Sequence, residues 1–297
     1  MAVQPQTPET RAHVVRITLV TMIINIFLAV GKIITGLLAG SSALVSDGAN
    51  SASDVMFEVI VIIGVKLSGR AADKDHPYGH ERFESLVTLI LAGIIFATGA
   101  SIGLSGVQKI IAALRGTTPA IPQLPALIVA VVVIVIKGVL YFYTKARSKT
   151  LGSEILVAAT SDHLADILGT LSGLVGIAGA RLGLPILDPI ACLVIAVLII
   201  KTSIGIFMNA ASQMTDKSAG PEIEATIRAL VAQYPGIARV DGVQTRLFGD
   251  RIFVDIEIAV DGNKTISFGH KEAELVHLAI EKNLPQVKHC MVHVNPA

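Results

Sequence analysis

The stretch Ala159-Thr160-Ser161-Asp162-His163-Leu164-Ala165-Asp166-Ile167-Leu168 places two carboxylates one helical turn apart inside a long apolar run. A second stretch, Ala43-Leu44-Val45-Ser46-Asp47-Gly48-Ala49-Asn50-Ser51-Ala52-Ser53-Asp54, has the same character. Residues four apart share one face of a helix, so Asn50 pairs with Asp54 and Asp162 with Asp166. A charged side chain in the bilayer core costs roughly 3 kcal/mol or more, so it is rare there and marks ion or proton handling. Polar helix packing is the alternative, but neutral Ser, Thr and Asn mostly perform it. Two such pairs facing each other would surround a cation with four oxygen-bearing side chains.

Working outward, six apolar segments reach the roughly 20 residues that a span needs: Val14–Leu38, Ala43–Leu67, Ser85–Ile110, Leu124–Tyr143, Leu156–Leu182 and Leu187–Asn209. Gly40 to Ser42 makes a short hairpin between the first two, and Gly183-Leu184-Pro185 breaks the last two apart. The expected division is a polar N-terminal tail over residues 1–13, a six-helix membrane domain over 14–214 and a soluble domain over 215–297. In the last part Pro221–Ala232 reads as an amphipathic helix with Pro at its start. Val240–Leu247 and Arg251–Val260 read as strands joined at Gly249-Asp250, Ser267–Lys282 as a helix capped by Ser267, and Lys288–Val294 as a last strand. That order suggests a small α+β sandwich with both helices on one sheet face.

Of the 297 residues 52% are apolar and the formal net charge is +1, which argues against nucleic acid as a partner. The two cysteines, Cys192 and Cys290, give neither a disulfide framework nor zinc-finger spacing. No basic n-region with a cleavage site precedes the first span, so that span itself is expected to direct insertion. Lys66, Arg70, Lys74 and Arg82 follow the second span and Lys145, Arg147 and Lys149 the fourth, against Lys109, Arg115 and Arg181 on the other side. The positive-inside rule then puts the first set, both termini and the soluble domain in the cytosol.

Asn50, Asp54, Asp162 and Asp166 offer oxygen, which suits hard cations such as manganese(II) or magnesium(II), whereas imidazole and thiolate suit zinc and copper. A compact four-ligand cluster more readily strips a transition ion than retains hydrated magnesium. His163 projects roughly 100° from Asp162 on an ideal helix. It stays open as a pathway residue, as a ligand replacing Asp162 that would favour zinc or iron, or as a polar helix contact. Asp47 sits one turn before Asn50, either at the outer mouth of the pathway or as a helix cap. Carboxylates must be deprotonated to bind metal, which links metal release to proton uptake. Gly169, Gly173, Gly176 and Gly179 on the fifth segment permit close helix approach. Lys32, Lys137 and Lys201 also lie in spans, where pairing with Glu58, snorkelling and lining a wet cavity are all open.

After the second span comes Asp73-Lys74-Asp75-His76-Pro77-Tyr78-Gly79-His80-Glu81-Arg82-Phe83-Glu84. With this loop, both four-spaced pairs and the soluble tail, the chain resembles the cation diffusion facilitators over essentially its whole length. The resemblance implies six spans, a cytosolic ferredoxin-like domain and a homodimer in the inner membrane of a prokaryote. It also implies a proton-coupled exporter of divalent cations with no organic cofactor. Zinc-selective members usually carry His at the first position of the fifth-span pair. Asp162 there is similar to the bacterial manganese-exporting branch, with zinc, cadmium and iron(II) as the other ions of the family. The loop match implies a second metal site at Asp73, His76 and His80, and a charge interlock between Arg82 and Asp216. In the tail the matching positions read Thr245, Glu257, Glu274, His293 and Asn295. Glu257 and His293 are candidate ligands there, with simple dimer packing as the alternative, while His270, His277 and His289 are expected on solvated faces. Other function classes keep a discriminating observation: a passive channel lacks dependence on a proton gradient, a metal sensor binds without transport, and no water-activating signature supports an intramembrane protease.

Overall fold

In lipid, backbone polar groups are satisfied within a helix or not at all, and the apolar runs form six helices: α1 (Pro8–Leu38), α2 (Ser42–Ser68), α3 (Arg82–Leu114), α4 (Leu124–Leu151), α5 (Glu154–Arg181) and α6 (Leu187–Met214). This computed structural model describes residues 7–38, 42–115, 124–181 and 187–297. Several side chains within those helices, Asp47, Asn50, Gly173, Gly176, Gly179 and Cys192 among them, lie outside the description, as do the hairpin at 39–41 and the break at 182–186. Among the described residues four helices satisfy length and hydropathy for crossing a membrane: Pro8–Thr35, Arg82–Ala112, Ile128–Leu151 and Leu193–Met214. The remaining two, α2 and α5, have 27 and 28 residues and carry the carboxylate pairs. Both also include residues outside the description.

The helices associate in pairs, α1 with α2, α3 with α6 and α4 with α5, and α3 also meets α5. Val14, Phe57, Val61, Leu91, Ile95 and Ile155 bury their side chains between helices. Phe27 and Phe142 are instead 73% and 69% exposed, on outward faces where lipid rather than water is the compatible solvent.

The C-terminal domain contains α7 (Pro221–Val231), β1 (Arg239–Phe248), β2 (Arg251–Val260), α8 (Ile266–Asn283) and β3 (Val287–Pro296). β1 and β2 form an antiparallel hairpin, and β2 pairs with β3 in parallel through the α8 crossover, giving the order β1-β2-β3. Val254, Ile256 and Ile258 on β2 pack with Ile227 of α7 and with Val276 and Ile280 of α8, while Glu257 alternates to the exposed face. α8 starts at Ile266 rather than Ser267. Thr265 is its cap, with a side-chain oxygen that accepts from the Phe268 amide at 3.3 Å.

The hairpin tip joins the two halves of the chain. Gly249 has φ +61°, and a Cβ there would fall 2.5 Å from the Glu81 carbonyl oxygen, so both backbone conformation and close approach require glycine. Asp250 beside it lies 3.6 Å from the guanidinium of Arg11 on α1. Lys288 donates to Glu81 Oε1 at 2.5 Å and to the Tyr78 carbonyl at 2.8 Å. Cys290 on β3 is 1% exposed, and burial pushes its thiol up to about 12. The reactive species is the thiolate, so iodoacetamide at pH 8 should leave the Cys290 peptide unmodified in the native protein and alkylate it fully in denaturant. Rapid native labelling would show that β3 opens.

Candidate metal centre

α2 and α5 bring their acids to one place, and a lysine from α4 joins them. The Lys137 ammonium donates to Asp54 Oδ2 at 2.9 Å and to Asp166 Oδ2 at 2.5 Å. The lysine side chain is 1% exposed and the two carboxylates 11% and 14%, so the cluster is withdrawn from both water and lipid. In a low-dielectric interior such charges persist only if they are paired. Asp162 is buried beside them. Asp162, His163 and Asp166 each present one ligand atom, all within 4.8 Å of one another. His163, which ideal helix geometry turns aside, is thus within reach of the carboxylates. It is 2% exposed, and neither ring nitrogen has a hydrogen-bond partner among the described residues. Asn50 and Asp47 belong to α2, but their side chains lie outside the described residues.

The other buried polar groups of the spans find separate partners. Glu58 accepts from Asn25 Nδ2 at 2.8 Å, and Lys32 donates to Ser51 Oγ at 2.8 Å. Lys201 is exposed on α6. Lys137 is the lysine that bridges the carboxylates of α2 and α5. A cavity of about 620 Å³ adjoins the C-terminal domain, with Glu84, Glu154 and Asp250 in its wall, and extends to Ser161, the residue before Asp162. At its rim Glu154 Oε1 accepts from Asn209 at 2.6 Å and from Gln213 at 2.7 Å, tying α5 to α6.

Acids on two helices, both held by the ammonium of Lys137 and lying near a cavity, make a charged cluster within a helical bundle. Residues 18–215 match the family model for the cation efflux transmembrane domain, and residues 219–297 that for the cation efflux protein, cytoplasmic domain. The chain belongs to the cation efflux family, the cation diffusion facilitators. The Bacillus subtilis manganese efflux system protein MneP is 30% identical over 288 residues, which cover 95% of this chain and 95% of that protein. Manganese efflux system protein MneS of the same organism is 29% identical over 278 residues, 94% of each chain. Metal tolerance protein C1 of Arabidopsis thaliana is 30% identical over 284 residues, and this chain spans 60% of its length. As a member of the cation efflux family, the chain is a membrane transporter of metal cations and not an enzyme.

The other residues singled out in this cation efflux protein divide into those that converge and those that do not. Asp73, His76 and His80 converge in the loop between α2 and α3, with ligand atoms within 4.8 Å of one another. His76 Nδ1 is 3.4 Å from Asp73 Oδ1, and His80 Nε2 is 3.4 Å from Asp73 Oδ2. His80 Nδ1 lies 3.0 Å from the Ala71 carbonyl. A carbonyl only accepts, so Nδ1 carries the hydrogen and Nε2 of the neutral ring offers its lone pair toward Asp73. The backbone amide of His76, 2.7 Å away, holds the Asp73 carboxyl below the usual carboxylate range. That amide bond favours the ionised form, the one that binds metal. Arg82 and Asp216 form an ion pair between the start of α3 and the residues just after α6, with the guanidinium 4.8 Å above the Phe248 ring.

In the cytoplasmic domain Glu257 and His293 are register partners on β2 and β3 and line a shallow cavity of about 120 Å³. Thr245 is buried and bonded to Ser218 Oγ, to the Ala219 amide and to Glu224, so its hydroxyl is already used within the domain. His270 and His289 are exposed as expected and His277 is half-buried, and His277 and His289 converge on Glu281. No single-segment pattern marks that convergence, because His277 and His289 lie on different elements. The role of Lys137 had a weak signal, a lone lysine in an apolar run, but nothing local assigned its partner.

Proposed function

We propose that this chain exports divalent transition-metal cations, foremost manganese(II), from the cytosol in exchange for protons by alternating access. Asn50, Asp54, Asp162 and Asp166 are the transport-site ligands in this reading. The observation that carries it is the Lys137 ammonium held between carboxylates of α2 and α5, because a place that stabilises one buried cation is built to stabilise another. The exported ion displaces Lys137 and takes up the same carboxylates. When it leaves, the ammonium returns and spares the acids an unscreened encounter. Protons compete for the same oxygens, so an inward proton gradient drives the ion out. The cavity reaching Ser161 is the cytosolic entry. Oxygen donors favour manganese, and the relatives whose names specify manganese efflux agree with that preference.

A second reading has its own observation. His163 lies in the cluster with both nitrogens unpartnered, and an imidazole in the ligand set would favour zinc or iron(II). Uptake into proteoliposomes with an imposed pH gradient, run with manganese, zinc, cadmium and iron in competition, separates the readings. Manganese preference with gradient dependence supports the first. Zinc preference that His163→Leu abolishes supports the second, and flux indifferent to the gradient rejects exchange in favour of a channel.

The protein acts as a homodimer in the plasma membrane with both termini cytosolic. The basic loops after α2 and α4 then lie on the side of the cytoplasmic domain. Asp73, His76 and His80 form a second metal site next to the joint between the domains, and Glu257 with His293 forms a weaker candidate on the sheet. Arg82 and Asp216 act as an interlock that keeps α3 and α6 together while the other helices move. An exposed pair contributes under about 1 kcal/mol to stability. Arg82→Glu should therefore leave the melting temperature nearly unchanged while lowering flux several-fold, and Arg82→Glu combined with Asp216→Arg should recover it. Equal flux in all three proteins would remove the interlock.

A further inference from the structure

The pairing of α8 with β3 creates a cluster of metal-binding side chains apart from the transport site and the loop. His277 and Glu281 stand one turn apart on α8, and His289 reaches them from β3. Their three ligand atoms lie within 4.8 Å of one another. His277 Nε2 is 3.3 Å from Glu281 Oε1, and His289 Nδ1 is 3.3 Å from the same oxygen.

The main chain of Cys290 orients two of the three. His277 Nδ1 lies 2.7 Å from its carbonyl oxygen, which only accepts, so Nδ1 carries the hydrogen. The lone pair of the neutral ring is then on Nε2 and faces Glu281. Metal-binding imidazoles are held in this way, with the second nitrogen donating to a backbone carbonyl that fixes both tautomer and ring plane. The Cys290 amide donates to Glu281 Oε1 at 3.1 Å, and the buried Cys290 side chain anchors the strand at that point. An imidazole lone pair and a carboxylate oxygen 3.3 Å apart are both acceptors, so a cation between them makes the contact attractive. The three side chains are 31%, 30% and 47% exposed, which leaves room for water to complete the coordination of an ion.

We propose that His277, Glu281 and His289 bind a divalent transition-metal ion that clamps α8 to β3 next to the joint between the domains. Two imidazoles and one carboxylate suit borderline ions such as zinc, cobalt(II) and iron(II), a softer preference than that of the oxygen-rich transport site. The location gives the clamp its effect. His289 follows Lys288, which binds Glu81 and the Tyr78 carbonyl, and its ring stands edge-on to Phe253, as does the ring of Tyr78. An ion that stiffens this end of β3 also stiffens the contact with the loop between α2 and α3.

The test uses the full chain in nanodiscs with cobalt(II) as the probe. Equilibrium dialysis should show one ion fewer per protomer in His277→Gln/His289→Gln than in the unsubstituted protein, and Asp162→Ala should retain that ion. Glu281→Gln, which keeps an acceptor for the Cys290 amide, guards against loss by misfolding and should weaken the same ion at least ten-fold. Cobalt should slow amide exchange over residues 277–290 and 78–81 in the unsubstituted protein and not in the double variant. Unchanged stoichiometry in the double variant would reduce the cluster to an imidazolium–carboxylate pair and overturn the proposal. Loss of the ion without any change in exchange would overturn the clamp.

Discussion

Export should cease in Asp54→Ala and in Asp162→Ala. In the proposed transport site each substitution removes a carboxylate ligand from a cluster enclosed between α2, α4 and α5, where water cannot replace it with an equivalent charge. Loss of outer-shell partners alone typically lowers metal affinity by about 10- to 100-fold, so loss of a ligand should cost roughly 100-fold or more. Manganese uptake into proteoliposomes under a pH gradient should fall to the level of protein-free vesicles, and cells lacking other exporters should lose manganese tolerance. Unaltered tolerance in either variant would displace the transport site from these residues. Ligand chemistry gives a companion result: Asn50→His or Asp162→His should raise zinc relative to manganese, because imidazole suits zinc better than a carboxylate does. An unchanged ratio in vesicles would mean that these side chains do not select the ion.

The second large effect is expected at Lys137. Asp54 and Asp166 both rest on its ammonium. Lys137→Met removes the cation and leaves the acids buried without a partner, a change that costs on the order of 3–5 kcal/mol when one member of a buried pair is deleted. Without divalent metal the variant should melt well below the unsubstituted protein. Added manganese should recover much of that loss, since the ion supplies the missing positive charge, and should raise the melting temperature more in the variant than in the parent. Binding should tighten about ten-fold or more once no tethered cation competes, while turnover falls because nothing replaces the departing ion. Lys137→Arg keeps the charge and should keep the metal-free stability closer to that of the parent. A Lys137→Met protein with parental melting temperature, parental affinity and parental flux would show that the ammonium is a bystander.

Much of this protein is legible one segment at a time. The apolar runs that become α1 to α6 announce themselves by length, because the thickness of the lipid core and the rise of a helix together set how many residues a span requires. The pairing of Asp162 with Asp166 follows from one turn of helix, and the β1–β2 hairpin from alternation around Gly249-Asp250. Asp73, His76 and His80 were also within reach of sequence, since one short loop carries all three. The cap of α8 lies two residues before the Ser267 that the sequence suggests, because Thr265 and Ser267 are both competent caps and the choice between them rests on where the chain enters the helix after β2.

Other features were out of reach of any local pattern. His163 is not among them, because it adjoins Asp162 and stands three residues before Asp166, a spacing that makes neighbours on a helix surface. His277 and His289 are separate surface histidines in the sequence, and only the packing of α8 against β3 brings them together.

Hydrophobic length, helical period and turn chemistry act between near neighbours, so the spans, the spacing of the acids and the α+β tail were written in the chain itself. Which cation sits between Asp54 and Asp166 was not, because Lys137 is 83 residues from one acid and 29 from the other. Their meeting depends on how three helices cross, and crossing geometry arises from the fit of many side chains at once.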